Sequence, residues 1–284
     1  MHLYKTTQGI ILQHQHKSFQ INDEWDTLVN RKNLYEHLFT LADNSKVLPT
    51  IESDELIKEH LLPPIGTQEV WAAGVTYLKS RDARMEESVD IGAADCYSRV
   101  YEAERPELFF KSLSHRVVGH NGHVHIRKDS VWNVPEPELT LYINSSGSIQ
   151  GYSIGNDMSS RSIEGENPLY LPQAKIYNHS ASIGPCLYVP EKPVDAETKI
   201  HITIHRTGKK IFDDFTAISR MKRSLNELAE FLFRELDFEH GCYLMTGTCV
   251  VPPNNFTLQK GDIINITIDL IGTLRNIVTV KDYQ

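Results

Sequence analysis

Two glutamates open the chemistry of this chain. In Pro135-Glu136-Pro137-Glu138-Leu139 the run leads into a strand, and side chains two apart on a strand point the same way, so Glu136 and Glu138 project side by side. Pro137 has no N–H to give and suits a strand start or edge. Two adjacent carboxylates repel unless a cation sits between them. Alone, the pair reads as two solvated glutamates on an exposed face. Downstream, Asp157 lies in Ile154-Gly155-Asn156-Asp157-Met158-Ser159, just past another strand and in turn-forming company, where it could also cap that turn. Lys175 follows in Leu171-Pro172-Gln173-Ala174-Lys175-Ile176, a loop in which a lone lysine is usually solvated. Together, three oxygen ligands and one ammonium make a hard-cation site suited to magnesium, manganese or calcium. Three protein ligands leave coordination positions open for a bidentate substrate.

Other residues carry two readings each. Lys111 ends the apolar run Leu108-Phe109-Phe110 and is either a solvated strand end or a cation reaching a pocket carboxylate. Thr246-Gly247-Thr248 is a plain turn or a nest of N–H and hydroxyl donors for a carboxylate. Arg161 reads as a fork holding backbone or carboxylates near the acidic group. His120, His123 and His125 suggest zinc, but no cysteine or carboxylate joins them at zinc spacing, and an exposed strand is the reading preferred. His201 and His205 are judged the same way. Cys96, Cys186, Cys242 and Cys249 form no Cys-x-x-Cys pair and read as free thiols filling the core.

The elements that must position these residues are mostly strands. Short runs at 116–119, 124–126, 139–144, 151–154, 186–189, 199–206 and 262–270 are separated by turns. Ile200, Ile202 and Ile204 alternate with His201, Thr203 and His205. One helix interrupts: Ser224 and Glu227 form a capping box, Leu225, Leu228, Leu232 and Leu236 a stripe, and Gly241 the stop. Residues 1–65 read as a small N-terminal α/β unit, with a strand at Ile10–Leu12, a helix capped by Asn33 and a boundary in the prolines of Leu61–Ile65. Residues 66–284 form the second, β-rich unit, so the class is α+β, mostly β. The chain has 284 residues, 40% of them hydrophobic, and a net charge of −8. Such acidity argues against nucleic acid or anionic membrane as partner. No apolar run reaches the roughly 18 residues of a membrane span, and no signal-peptide pattern opens the chain, so a cytoplasmic protein is expected.

The pattern Glu-x-Glu, then Asp nineteen residues after Glu138, then Lys eighteen residues after Asp157, resembles the metal site of the fumarylacetoacetate hydrolase family. The resemblance runs from Trp71-Ala72-Ala73-Gly74-Val75-Thr76-Tyr77 through Arg105–Lys111 and Glu164–Gln173 to Met245–Thr248 and Gly272–Asn276. Within the family it is greatest to the branch that dehydrates 2-keto-3-deoxy-D-arabinonate. The resemblance implies a β-roll catalytic domain, a homodimer or dimer of dimers, and Mg²⁺ (or Mn²⁺ or Ca²⁺) held by Glu136, Glu138 and Asp157. It further implies substrate contacts from Tyr77, Lys111 and Thr248, and Lys175 beside the enolate of a small 2-oxo acid.

Hydrolytic members of the family are similar to one another in a histidine, backed by glutamate, shortly after Gly-x-x-Tyr. Here Tyr77-Leu78-Lys79-Ser80-Arg81-Asp82-Ala83-Arg84-Met85-Glu86-Glu87 has none, and the next histidine is His115. Ser80, Arg81, Glu86 and Glu87 resemble the dehydratase branch instead, with either glutamate as the acid–base on a lid, or with the stretch as a charged surface helix. The expected activity is therefore dehydration of a 2-keto-3-deoxy sugar acid, a pentonate giving 2,5-dioxopentanoate. The alternatives are an acylpyruvate or diketo-acid C–C hydrolase and a non-catalytic 2-oxo-acid-binding protein.

Overall fold

The computed structural model describes residues 1–78 and 94–282, with backbone alone for residues 94–97. Ser80, Arg81, Glu86 and Glu87, and most of the expected lid with them, lie outside the described residues. In chain order come β1 (His2–Thr6), β2 (Gly9–His14), β3 (Lys17–Ile21), α1 (Trp25–Val29), α2 (Leu34–Asn44), β4 (Val47–Leu48), α3 (Thr50–His60) and β5 (Glu69–Gly74). Next are α4 (Ala94–Glu102), β6 (Glu107–Leu113), β7 (Val117–Val118), β8 (His123–Ile126), β9 (Asn133–Val134), β10 (Pro137–Ile143), β11 (Ile149–Asp157) and β12 (Ser159–Ser160). The chain continues with α5 (Arg161–Glu166), α6 (Leu171–Lys175), β13 (Ala181–Tyr188), β14 (Lys199–Arg206), β15 (Lys209–Ala217), α7 (Leu225–Phe233), β16 (Cys242–Met245), β17 (Ile263–Ile268) and β18 (Gly272–Val280).

A large mixed sheet runs β4-β3-β2-β1-β13-β11-β10-β16-β5-β6, with β7 added beside β13. A second sheet runs β15-β14-β17-β18-β8. The two share one core, in which Leu139, Leu141 and Ile154 of the large sheet join the buried Ile200, Ile202, Ile204, Ile264, Ile266 and Ile268 of the other. The expected alternation on β14 holds: its isoleucines are buried and His201, Thr203 and His205 half-buried. The large sheet is covered on a second side by Leu28, Leu34 and Leu38 of α1 and α2, which pack with Val70, Ala72, Tyr142, Ile183 and Met245. β1 pairs antiparallel with β13, so the N-terminal strands extend the same sheet that carries the acidic residues.

One helix boundary differs from the sequence reading, and one expected cap, Asn33, stands at its helix start without a side-chain bond. Ser224 does cap α7, accepting from Glu227 N at 3.1 Å, but the helix ends at Phe233, well short of Gly241. The following residues turn back to bury Phe238, whose ring lies 4.9 Å from Phe233 and 6.2 Å from Trp71, and this packing outweighs helix propensity. Gly241 (φ 72°) instead serves the turn into β16, where a Cβ would meet Ile143 O at 2.3 Å. Asn33 stands at the start of α2 in the left-handed region, φ 55°, and its side chain makes no cap; Leu34 N is satisfied by Gln150 Oε1 at 3.0 Å. Asparagine tolerates that conformation better than most residues, so it starts the helix through its backbone rather than its amide.

Candidate metal centre

Strand pairing brings the three carboxylates together. Pro137 pairs with Asn156 and Glu138 with Gly155 in the antiparallel β10–β11 ladder. Asp157 N donates to Glu136 O at 3.0 Å, which sets the two ligand-bearing segments in register. Gly155 leaves room for the approach, since a Cβ there would meet Thr140 Oγ1 at 2.3 Å. One carboxylate oxygen from each of Glu136, Glu138 and Asp157 lies within 4.8 Å of the other two, the one such cluster of three metal-type side chains among the described residues. All three are buried. They line a cavity of about 20 Å³ with Gly74, Phe109, Arg161, Lys175, Gly247 and Thr248. That is room for one atom-sized guest. A far larger cleft of about 750 Å³ lies between α7 and the β10–β11 turn, but it gathers no comparable set of reactive groups, so chemistry and not volume picks the site.

Buried cations balance the acids. Lys175 Nζ donates to Glu136 Oε2 at 2.5 Å, to Asp157 Oδ2 at 2.9 Å and to Ser159 Oγ at 2.5 Å. Arg161 Nη2 meets Glu136 Oε1 at 2.6 Å, the fork expected of it, and Nη1 approaches Glu164 Oε2 at 3.9 Å. Lys111 is fully buried and pairs with Asp157 Oδ1 at 2.5 Å, while also donating to the carbonyls of Met158 (3.1 Å) and Lys175 (2.5 Å). Its three protons are thus directed at a ligand carboxylate and at the backbone of the catalytic segment, not into the cavity. Burial lowers its pKa, opposed by Asp157.

Glu138 stands apart. Among the described residues it has no cationic partner in contact, and it accepts from Gly247 N at 2.6 Å. Burial first, then Asp157 and Glu136, push its carboxyl well above the usual range. A divalent cation among the three would remove that penalty, and an all-carboxylate donor set suits a hard ion. Counting Glu164, four buried carboxylates face three buried cations among the described residues. A divalent metal and a singly charged substrate would together neutralise these described groups.

Tyr77 is buried near Glu138 and bridges to Met221; burial raises its phenol pKa well above the ordinary value. Thr248 lines the cavity, with its hydroxyl accepting from Val250 N at 3.2 Å. Of the histidines suspected of zinc binding, His125 stacks on His179 with ring centroids 4.4 Å apart, and no carboxylate joins them among the described residues.

Three groups were missed in the sequence. Ser159 lies two residues after Asp157, a spacing that could have placed it on the same side. Glu164 lies one helical turn from Arg161, a spacing that could have paired them. Glu107, opposite Gly74 in the β5–β6 ladder, sets its carboxylate where a Gly74 side chain would stand, with Oε2 2.0 Å from the position of a Cβ. Gly74 lines the cavity, so this glycine makes room for a carboxylate beside a cavity residue.

Comparison with known proteins agrees with this geometry. Residues 91–279 match the model described as fumarylacetoacetate (FAA) hydrolase, C-terminal. A protein of Haloferax volcanii named as a probable 2-keto-3-deoxyxylonate dehydratase is 47% identical over 81% of this chain and 78% of its own. The 2-dehydro-3-deoxy-D-arabinonate dehydratase of Saccharolobus solfataricus is 38% identical over 83% of this chain and 78% of its own. Among solved structures, 2-keto-3-deoxy-D-arabinonate dehydratase complexed with magnesium and 2,5-dioxopentanoate superposes with a TM-score of 0.83 at 30% identity, covering 99% of both chains. The family model matched over residues 91–279 and relatives of 38–47% identity over most of the chain show that it belongs to the fumarylacetoacetate hydrolase family.

Proposed function

We propose that this protein is a magnesium-dependent hydro-lyase that converts a 2-keto-3-deoxypentonate into 2,5-dioxopentanoate. The observation that carries the reading is the buried Glu136–Glu138–Asp157 group with Lys175 across it, in a chain whose fold matches over nearly its whole length a dehydratase complexed with magnesium and that product. Glu136, Glu138 and Asp157 would hold the ion. Once bound, the ion polarises the 2-oxo group of the substrate and so acidifies C3.

The chain's own groups do the rest. Lys175 offers a charged donor to the oxygen that becomes negative when C3 loses its proton. Arg161 fixes Glu136 so that the ligand set is formed before substrate arrives. Lys111 does the same for Asp157 and the backbone of Lys175. A base takes a proton from C3, and its acid form returns one to the departing C4 hydroxyl, which leaves as water. Moving a proton from C5 to C3 then gives a terminal enol, which becomes the C5 aldehyde. For the acid–base group we propose Glu86 or Glu87, supported by Ser80 and Arg81, with Glu107, packed against the cavity-lining Gly74, as a further candidate. Tyr77 and Thr248 are proposed to face the substrate.

The metal ligand set is common to both chemistries, and the histidine of the hydrolases, missing between Tyr77 and Glu87, favours elimination over C–C cleavage. We further propose a homodimer or dimer of dimers, supported by Val131 and Leu169, which are 87% and 84% exposed and offer apolar surface to a second copy. A cytoplasmic location is supported by the buried free thiols of Cys186, Cys242 and Cys249; no helix among the described residues is long and apolar enough to cross a membrane.

The test is turnover on a 2-keto-3-deoxypentonate before and after chelation, with Glu86→Gln, Glu87→Gln and Glu107→Gln alongside wild type. Chelation is expected to abolish turnover and Mg²⁺ to restore it. One of the three variants should lose at least about 10²-fold in turnover, the scale of a lost acid–base group. Full turnover in rigorously metal-free protein would overturn the proposal.

A further inference from the structure

The inner face of β18 holds a polar side chain that the fold alone does not call for. Leu274, Asn276 and Val278 alternate inward and all three are buried, so one amide interrupts an apolar row. Across the ladder it faces Ile264 of β17. An amide buried among aliphatic side chains is costly unless its donors and acceptor are bonded. Asn276 finds its partners on the other sheet. Its Oδ1 accepts from Asn156 Nδ2 at 3.1 Å, and its Nδ2 donates to Ser182 Oγ at 2.9 Å and to Gly119 O at 3.3 Å. Ser182 Oγ in turn donates to Val118 O at 3.0 Å. The chain of bonds thus crosses the core from β18 to β11, β13 and β7.

Where these bonds land gives them a use. Asn156 pairs with Pro137 on one side and with Ser182 on the other. Residues paired across a ladder share a face, so Pro137, Asn156 and Ser182 form one row on the back of the sheet. Their chain neighbours Glu136, Glu138 and Asp157 project from the opposite face, toward the cavity. Among the described residues Asn276 is the one hydrogen-bond partner of the Asn156 side chain, whose Oδ1 makes none. The β11–β13 ladder is also irregular between Tyr152 and Ile154, so ladder bonds alone hold this end of β11 less firmly. We propose that Asn276 is a positioning residue for the metal centre. By gripping Asn156 from behind, it sets the angle at which β11 presents Asp157 to Glu136 and Glu138. The inference rests on the reading of those carboxylates as a Mg²⁺ site. Ligands must be held within about 0.5 Å of their working geometry, and the residues that orient them typically carry about 10–100-fold of metal affinity.

The experiment titrates the full-length, metal-free protein with Mg²⁺ by calorimetry, beside thermal unfolding of the same samples. The variants are Asn276→Leu, which continues the apolar row of β18, and Asn156→Ala, which removes the other end of the same bond and carries the test where the first does not fold. Ser153→Ala is the control. It deletes an equally buried β11 hydroxyl, four residues before Asp157, that donates to Cys186 O at 2.8 Å and not to β18. Mg²⁺ affinity is expected to fall at least about tenfold in Asn276→Leu and in Asn156→Ala. The double variant should lose less than the sum of the two, because both break one bond. Ser153→Ala should keep wild-type affinity whatever it costs in melting temperature. Wild-type affinity in a folded Asn276→Leu or Asn156→Ala, losses that simply add, or an equal loss in Ser153→Ala would overturn the proposal. Failure of the wild-type protein itself to bind Mg²⁺ would overturn the reading of the metal centre, and this inference with it, so the two failures are told apart.

Discussion

At the scale of single residues, the site is a balance among buried charges. Lys175 sits between Glu136 and Asp157, so it serves two opposed ends: its ammonium offsets ligand charge, and it meets charge that develops on the substrate. Lys175→Met is therefore expected to lower turnover by about 10²–10³-fold, the usual loss for one such donor. Mg²⁺ affinity should hold or tighten, because the variant is more negative where the ion binds. Calorimetry beside steady-state rates checks both, and parallel loss of metal affinity and rate would make Lys175 a structural group. Glu138 gives a pH signature. Its folded pKa is raised, so between its ordinary value and the raised one the folded metal-free chain binds more protons than the unfolded chain. Stability of the metal-free protein therefore falls as pH rises through that window, and Glu138→Gln should flatten the fall. With Mg²⁺ the proton is displaced, and affinity should rise with pH across the same window. Denaturant unfolding of metal-free wild type and Glu138→Gln against pH reads this directly. Strand alternation put Glu136 and Glu138 on one side, but it was the family resemblance that joined Asp157 to them as a ligand set. The targets of Lys111 were not legible in the sequence, since Asp157, Met158 and Lys175 lie far along the chain and only sheet pairing brings them near.

At the scale of elements, the turn after β16 ties the site to its frame. Gly247 has φ 90°, and a Cβ there would stand 2.1 Å from Thr76 Oγ1, whose hydroxyl already donates to Thr246 O at 2.7 Å. The same residue supplies the N–H that Glu138 accepts. Gly247→Ala combines a left-handed backbone with a steric clash, so it should cost about 1–3 kcal/mol or more of stability. It should also weaken Mg²⁺ binding by displacing the N–H. Denaturant titration with calorimetry checks both; a variant with wild-type stability and metal affinity would contradict this use of the turn. The sequence reading took Thr246-Gly247-Thr248 for a turn or a nest and named Thr248; the N–H that contacts a ligand residue is that of the glycine between. Strands with clear alternation, such as β14 and β17, were legible because one face is buried. The end of α7 was not, because Phe238 is drawn back by Trp71 and Phe233, contacts that periodicity does not encode.

At the scale of the molecule, the site exists because distant strands are neighbours. β10 lies between β11 and β16, and β16 leads to β5 and β6, so residues from 73 to 248 line one cavity. No local pattern announces that order, and it was the family resemblance, not periodicity, that led to the roll. The same assembly sets what the protein can do: a closed acidic site with buried cations favours enolate chemistry on a small 2-oxo acid, and the choice between elimination and cleavage decides the function. That choice is read most directly by identifying the products of a 2-keto-3-deoxypentonate by proton NMR with Mg²⁺-loaded enzyme. The account predicts one product, 2,5-dioxopentanoate, seen through its aldehyde and appearing as fast as substrate disappears, with none formed after chelation. Pyruvate with a two-carbon fragment, or 2,5-dioxopentanoate formed equally fast without metal, would contradict it.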